Sequence, residues 1–164
     1  MEKLTDFKGL TPRDFTAENA ENAEGRKEKN MRAVTKEQLN HLSETVIGAA
    51  TAVHRELGPG LLESAYLQCL CRELQLRGLP FLCEQPLPLV YKGLRLDCGY
   101  RVDLIVAETV VVELKTVDHL ARVHDAQLLT YLRLGGWKVG LLINFNVALL
   151  RDGIHRRVLG LEEQ

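Results

Sequence analysis

Two carboxylates and an amine stand at strand spacing in the middle of this 164-residue chain. Asp103 is followed, after nine residues, by Glu113-Leu114-Lys115. Between them Ala107-Glu108-Thr109 reads as the turn of a hairpin whose strands are Gly99–Val106 and Val110–Thr116. With Glu108 at the centre of the turn, Val102 faces Leu114, Leu104 faces Val112 and Val106 faces Val110. That face is wholly aliphatic, and a one-residue slip would turn it outward, so the register is well specified. On the other face Ile105 meets Val111, Asp103 meets Glu113 and Arg101 meets Lys115. Opposed side chains lie only ~4.5–5.5 Å apart at Cβ, and like charges directly opposite one another are destabilising. A divalent cation between Asp103 and Glu113 would remove the conflict. Two carboxylates, a carbonyl and waters form an all-oxygen site, which suits Mg2+ or Mn2+. Lys115 shares the face of Glu113 and could orient a water and stabilise developing negative charge. The chemistry would be metal-assisted hydrolysis. The other reading of the same residues is a solvated outer face with Asp103–Arg101 and Glu113–Lys115 ion pairs.

The elements that must position this hairpin follow from local pattern. Thr35 followed three residues on by Gln38 is a capping box. Leu39, Leu42, Val46, Ala49, Val53 and Leu57 then recur at helical spacing, and Gly58-Pro59-Gly60 breaks the helix. A second helix is expected over about Leu61–Arg77, ended by Gly78. Pro86–Tyr91 and Leu94–Cys98 flank Lys92-Gly93 and read as a first hairpin. After the carboxylate hairpin, Leu120–Leu134 is helical and Gly135-Gly136 stops it. Val139–Phe145 is a near-continuous apolar run, the mark of a strand buried on both faces. Ile154–Leu159 supplies a last short strand. Helix, helix, strands, helix, strand is the order of one α/β domain.

Composition bounds the rest. The chain is 46% hydrophobic and 26% charged, which excludes a wholly disordered protein or a collagen. Its 21 basic and 22 acidic residues exclude a strongly basic nucleic-acid coat. No apolar run reaches the ~18 residues of a membrane helix, and Met1–Thr11 lacks the apolar core of a signal peptide, so no membrane association and a cytoplasmic location are expected. Residues 1–34 hold seven Lys/Arg, seven Asp/Glu and the repeat AENAENAE at Ala17–Glu24. Such a segment buries too little apolar surface to offset chain entropy and reads as a disordered leader, with residues 35–164 as the folded domain. The four cysteines Cys69, Cys71, Cys83 and Cys98 contain no C-x-x-C pair, so neither zinc nor a disulfide framework is expected, and buried thiols are the plain reading.

The spacing of Asp103 and Glu113-Leu114-Lys115 resembles the signature of PD-(D/E)XK nucleases, with Arg101-Val102 rather than proline before the Asp. Gly60-Leu61-Leu62-Glu63-Ser64-Ala65-Tyr66 resembles the motif of the GxxExxY protein family, a small group of that kind. Gln127-Leu128-Leu129-Thr130-Tyr131 resembles the Q-xxx-Y element of RecB-type nucleases. The stretches VIGAATAVHRELGPGLLESAY, GYRVDLIV, VVELK, HDAQLLTYL and VGLLINFN extend the likeness over roughly Leu39–Leu159. The resemblance implies a restriction-endonuclease-like αβββαβ core, a mixed central sheet flanked by helices, and hydrolysis of phosphodiester bonds in DNA or RNA with Mg2+ or Mn2+. It implies Asp103, Glu113, the Leu114 carbonyl and Glu63 as metal ligands and Lys115 as the catalytic lysine. Gln127 and Tyr131 would position Lys115 or a substrate phosphate. No cysteine follows Cys98, so no iron–sulfur cluster is expected.

Each assignment has a plainer rival. An acid such as Glu63 in the first turn of a helix is stabilised by the helix dipole alone. Tyr66 reads as a core residue and Gly60 as a turn residue. His124, Gln127 and Tyr131 form one polar stripe, which either faces the carboxylates or faces solvent. His54 and Arg55 could contact phosphate, as could Arg101 and His124, or His54 and Arg55 could simply oppose the dipole of the first helix. Three functions stay open: a metal-dependent nuclease, a non-cleaving nucleic-acid-binding module on the same fold, and a protein-interaction domain, which could be a homodimer.

Overall fold

The computed structural model describes residues 34–160. The expected leader lies, but for Val34, outside them.

Helix α1 spans Lys36–Leu57. It starts at Thr35, whose hydroxyl accepts the Gln38 N–H at 3.2 Å while the Gln38 side chain accepts the Thr35 N–H at 2.9 Å. This reciprocal pair satisfies two of the donors that a helix start leaves free. It ends at Gly58, whose φ of 66° few other residues adopt easily. Helix α2 spans Glu63–Leu76. Tyr66, in its first turn, is fully buried and stacks on Phe145 with ring centroids 4.5 Å apart. Its hydroxyl donates to the Gly58 carbonyl and accepts the Leu61 N–H, so one side chain ties the Gly58-Pro59-Gly60 turn to the core.

Seven strands follow in the order β1 Phe81–Pro86, β2 Leu89–Tyr91, β3 Leu94–Leu96, β4 Arg101–Val106, β5 Val110–Lys115, β6 Val139–Asn144 and β7 Ile154–Val158. Helix α3, Arg122–Gly135, lies between β5 and β6. The main sheet runs β1-β4-β5-β6-β7, with β2 and β3 as a separate two-stranded sheet. Only β5 and β6 are parallel in the main sheet, which is the pairing a helical crossover such as α3 produces. This mixed sheet with helices on both faces agrees with the expected restriction-endonuclease-like α/β architecture.

The apolar pattern decides which helix covers which face. Leu104, Val106, Val110, Val112, Leu114, Val139, Leu141 and Ile143 pack with residues of α1 and α2. Ile105, Val111 and Leu142 pack with Leu128, Tyr131 and Leu132 of α3. Alternate residues of β5 and β6 thus serve opposite cores, and every residue of β6 is buried. Helix α3 approaches β6 so closely that a Cβ at Gly140 would stand 2.8 Å from Leu128 Cδ1. Among the described residues no helix is long and apolar enough to cross a membrane.

Three expectations need correction. Phe81–Pro86 is a strand that the sequence reading omits, because Cys83, Glu84 and Gln85 blur its alternation, yet it is the antiparallel partner of β4. The Lys92-Gly93 hairpin exists but is shorter than Pro86–Tyr91 and Leu94–Cys98, and Pro86 belongs to β1. The thiols are not all buried: Cys69, Cys71 and Cys83 are half-buried and Cys98 is exposed.

Candidate active site

The β4–β5 hairpin keeps the expected register at Leu104↔Val112, Ile105↔Val111 and Val106↔Val110, and there the ladder stops. The rungs expected at Asp103/Glu113 and Arg101/Lys115 do not form. Asp103 Oδ2 instead accepts the Leu114 N–H at 2.8 Å, so a side chain takes the place of a backbone rung. Arg101 pairs with Glu84 at 3.2 Å rather than lying against Lys115. Val102 leaves the aliphatic face shared with Leu104 and packs instead with Leu87, Ile105 and Val111 on the α3 side. Glu84, on the neighbouring β1, sits at φ 51°, so the backbone is distorted on that side as well.

Glu113 is only 3% exposed. Its Oε1 accepts from Lys115 Nζ at 2.7 Å, while its Oε2 is buried with no hydrogen-bond partner. Burial, and then the nearby Asp103 charge, raise the Glu113 carboxyl to about 7 against the pull of Lys115. Asp103 is raised by burial too, while the Leu114 N–H and the Lys115 and Arg101 charges oppose the rise. Burial pulls Lys115 down, but its bond to Glu113 and the charges of Glu113, Glu63 and Asp103 outweigh this and hold the ammonium above its ordinary value. These two partly desolvated acids therefore lack enough positive charge around them, which is the condition in which a carboxylate group takes up a proton or a cation.

Glu63 is the first residue of α2 and reaches the same end of the sheet. Burial raises its carboxyl; Lys115 acts against the rise, Asp103 adds to it, and His124 and the Thr116 N–H oppose it. On α3 the Gln127 side chain donates to the Tyr131 hydroxyl at 2.7 Å. Burial raises the Tyr131 phenol, with Gln127 opposing and the charges of Glu113, Lys115 and Asp103 within reach. Tyr131 of the α3 stripe is thus buried within reach of the acids' charges, while Gln127 and His124 are half-buried. The His124 ring accepts the Ala121 N–H at 3.0 Å at the start of that helix.

Other singled-out residues lie elsewhere. His54 is buried with Nε2 2.9 Å from the Val147 carbonyl, and Arg55 is exposed in the last turn of α1. Neither forms a hydrogen bond or ion pair with Asp103, Glu113 or Lys115 among the described residues.

Asn144 is the residue at this end that sequence reasoning passes over. It lies beside Lys115 in the parallel β5–β6 register and is buried. Its amide donates to the Val117 carbonyl at 2.7 Å and accepts the Val117 N–H at 3.1 Å and the Asn146 N–H at 3.2 Å. The chain leaving Lys115 is therefore clamped by one side chain. The available signal was a lone amide at the end of the apolar run Val139–Phe145.

Among the described residues no three His, Cys, Asp or Glu side chains are grouped closely enough to hold a metal by themselves. The donor set is nevertheless all oxygen, with a buried acceptor lacking a partner at its centre. These features fit a hard divalent ion that keeps water or backbone ligands.

Comparison with known proteins agrees with this geometry. No curated protein and no solved structure matches the chain. A family model described as the PD-(D/E)XK nuclease superfamily matches residues 40–157, a span that contains Glu63, Asp103, Glu113, Lys115, Gln127 and Tyr131. With its mixed sheet, flanking helices and Asp–Glu–Lys hairpin, the chain belongs to the PD-(D/E)XK nuclease superfamily.

Proposed function

We propose that this chain is a divalent-metal-dependent nuclease that hydrolyses phosphodiester bonds of DNA. The observation that carries the reading is Glu113, buried, bonded to Lys115 through one oxygen and unpartnered at the other, beside the half-buried Asp103. A solvated outer face would not bury these groups.

Asp103, Glu113, the Leu114 carbonyl and Glu63 would hold Mg2+ or Mn2+. A strand residue points its N–H and C=O to the same edge. The Leu114 N–H is turned toward Asp103, and its carbonyl therefore points toward that side too. The bound ion supplies Lewis-acid polarisation of a phosphate oxygen and a lowered pKa for water. Lys115, kept cationic by its acidic neighbours, orients the attacking water and balances charge that builds on the phosphate. Gln127 and Tyr131, joined to each other, position Lys115 or the phosphate from the α3 side. Asn144 holds the backbone after Lys115, so the ammonium is presented from a fixed strand end. The sequence likeness to GxxExxY proteins supports the inclusion of Glu63 in the ligand set.

The test is cleavage of labelled DNA and RNA with Mg2+ or Mn2+. The expected result is EDTA-sensitive cleavage that Lys115→Ala reduces by on the order of 10²–10³-fold. Metal-independent cleavage, or full activity in that variant, would overturn the reading.

A further inference from the structure

The small β2–β3 hairpin rises from the end of the main sheet that carries the acids. The last β1–β4 rung is Pro86↔Arg101, two residues before Asp103. Directly beyond it the Leu87 N–H donates to the Tyr100 carbonyl at 2.8 Å and closes the hairpin's base. The Tyr100 ring then stands edge-on to Tyr131, with centroids 6.2 Å apart. The hairpin is thus joined to the site through both its strands and an aromatic contact.

Its surface is unusual for this chain. From Leu87 to Leu96 there is no acid, while Lys92 and Arg95 are both exposed. Tyr91 pairs with Leu94 across the strands, so both lie on one face, and each is 60% exposed. Leu89 and Leu96 continue that face toward the base and are half-buried. Two-stranded sheets are marginally stable alone in water, and an uncovered Tyr–Leu tip adds nothing to that stability. Lys92 occupies the first turn position at φ 47°, where Asn, Asp or Gly fit more easily. Its ammonium lies 5.4 Å from the centre of the Tyr91 ring. An aromatic platform with a cation at its edge suits a ligand with flat faces and a negative backbone.

We infer that the β2–β3 hairpin makes the site selective for single-stranded or locally unpaired nucleic acid. Tyr91 and Leu94 receive an unstacked base and Lys92 holds an adjoining phosphate, while Arg95, opposite Val90, stands on the other face of the hairpin. This inference rests on the nuclease reading. An intact duplex hides its base faces in the stack and offers only phosphates to such a platform. A second copy of the chain fits less well, because two apposed hairpins would bring Lys92 of each copy together with no acid from Leu87 to Leu96 between them.

The test is binding of one fluorescent oligonucleotide, single-stranded and as duplex, to the full chain carrying Lys115→Ala so that the strand persists. Tighter binding of the single strand is expected. Adding Tyr91→Ala should weaken single-strand binding on the order of tenfold, as loss of one stacked base does, with little change for duplex. Tyr91→Phe should retain the binding, which separates loss of stacking from misfolding. Equal binding of both forms, or no effect of Tyr91→Ala, would overturn the hairpin's role. So would a change from dimer to monomer on Tyr91→Ala, since the face would then join two copies. The nuclease reading is judged separately, by cleavage with Lys115 intact.

Discussion

The carboxylate of Asp103 receives the N–H of Leu114 at 2.8 Å, in the place where a backbone rung of the β4–β5 hairpin would stand. One side chain thereby ends the ladder and brings a half-buried acid beside Glu113. Asp103→Asn keeps an acceptor for the Leu114 N–H while removing one of two charges. We expect the metal-free variant to be as stable as the parent or more so, by about 1 kcal/mol, because buried like charges are relieved. Mn2+ affinity and cleavage should fall together by at least tenfold. Urea unfolding and calorimetric Mn2+ titration check the two halves.

Lys115→Ala should lower the cleavage rate by on the order of 10²–10³-fold, the range for removal of one group that stabilises transition-state charge. Its loss of stability should be modest, because Glu113 can take a proton when its cation is gone. Lys115→Arg should not restore the rate, since a planar fork does not substitute for a compact ammonium. Single-turnover kinetics with saturating metal distinguishes these outcomes.

Stability of the metal-free protein should fall as pH rises from about 5 to 7. Glu113 is raised from the ordinary carboxylate range to about 7, so the native state binds the proton over a span in which the unfolded chain has released it. Stability decreases with pH wherever the native state binds more protons, and this one group accounts for on the order of 3 kcal/mol. Asp103 and Glu63, also raised, act in the same direction. Added Mg2+ should stabilise the protein increasingly as pH passes 7, because it binds the ionised acids. Thermal unfolding across pH 5–8 with Mg2+ and with EDTA measures both trends. A flat profile in EDTA would contradict the burial of Glu113.

Asn144→Leu should destabilise the fold by about 2 kcal/mol. It removes a buried amide and strands the Val117 N–H and carbonyl that the amide satisfied. Cleavage at temperatures well below unfolding should also drop, because the strand end carrying Lys115 loses its clamp. Chemical denaturation, paired with rates measured on the folded fraction, tells a positioning effect from simple unfolding.

Tyr66→Phe keeps the ring stacked on Phe145 but removes the hydroxyl that joins the Gly58 carbonyl to the Leu61 N–H. A cost of about 1–2 kcal/mol is expected for groups left without that partner. Because the turn leads directly into Glu63, metal affinity should weaken as well. Thermal unfolding and Mn2+ titration of the same variant give both values.

Local pattern made much of this molecule legible. Thr35 and Gln38 announced the start of α1, Gly136 the end of α3, and the unbroken apolar run the central strand β6. Strict alternation around Glu108 fixed the register of the three rungs nearest the turn. Alternation could not foresee that Asp103 would replace a rung, because a side chain that competes for a backbone N–H leaves the strand pattern unchanged. The strand Phe81–Pro86 was hidden because an edge strand with one exposed face needs little apolar sequence. Spacing is equally silent on long-range pairing of arginines: Arg101 and Arg157 pair with Glu84 and Asp125, and Arg156 bonds to Asn40.

Sequence by itself determined the α/β class, the existence and order of the helices and the spacing of Asp103, Glu113 and Lys115, since spacing along a strand or helix is a local property. Only the tertiary structure decided how those charges are set. Burial of Glu113, the bond from Lys115, the clamp by Asn144 and the approach of Glu63 and Tyr131 join residues far apart in the chain. Desolvation depends on everything packed around a group, and no run of neighbouring residues encodes it.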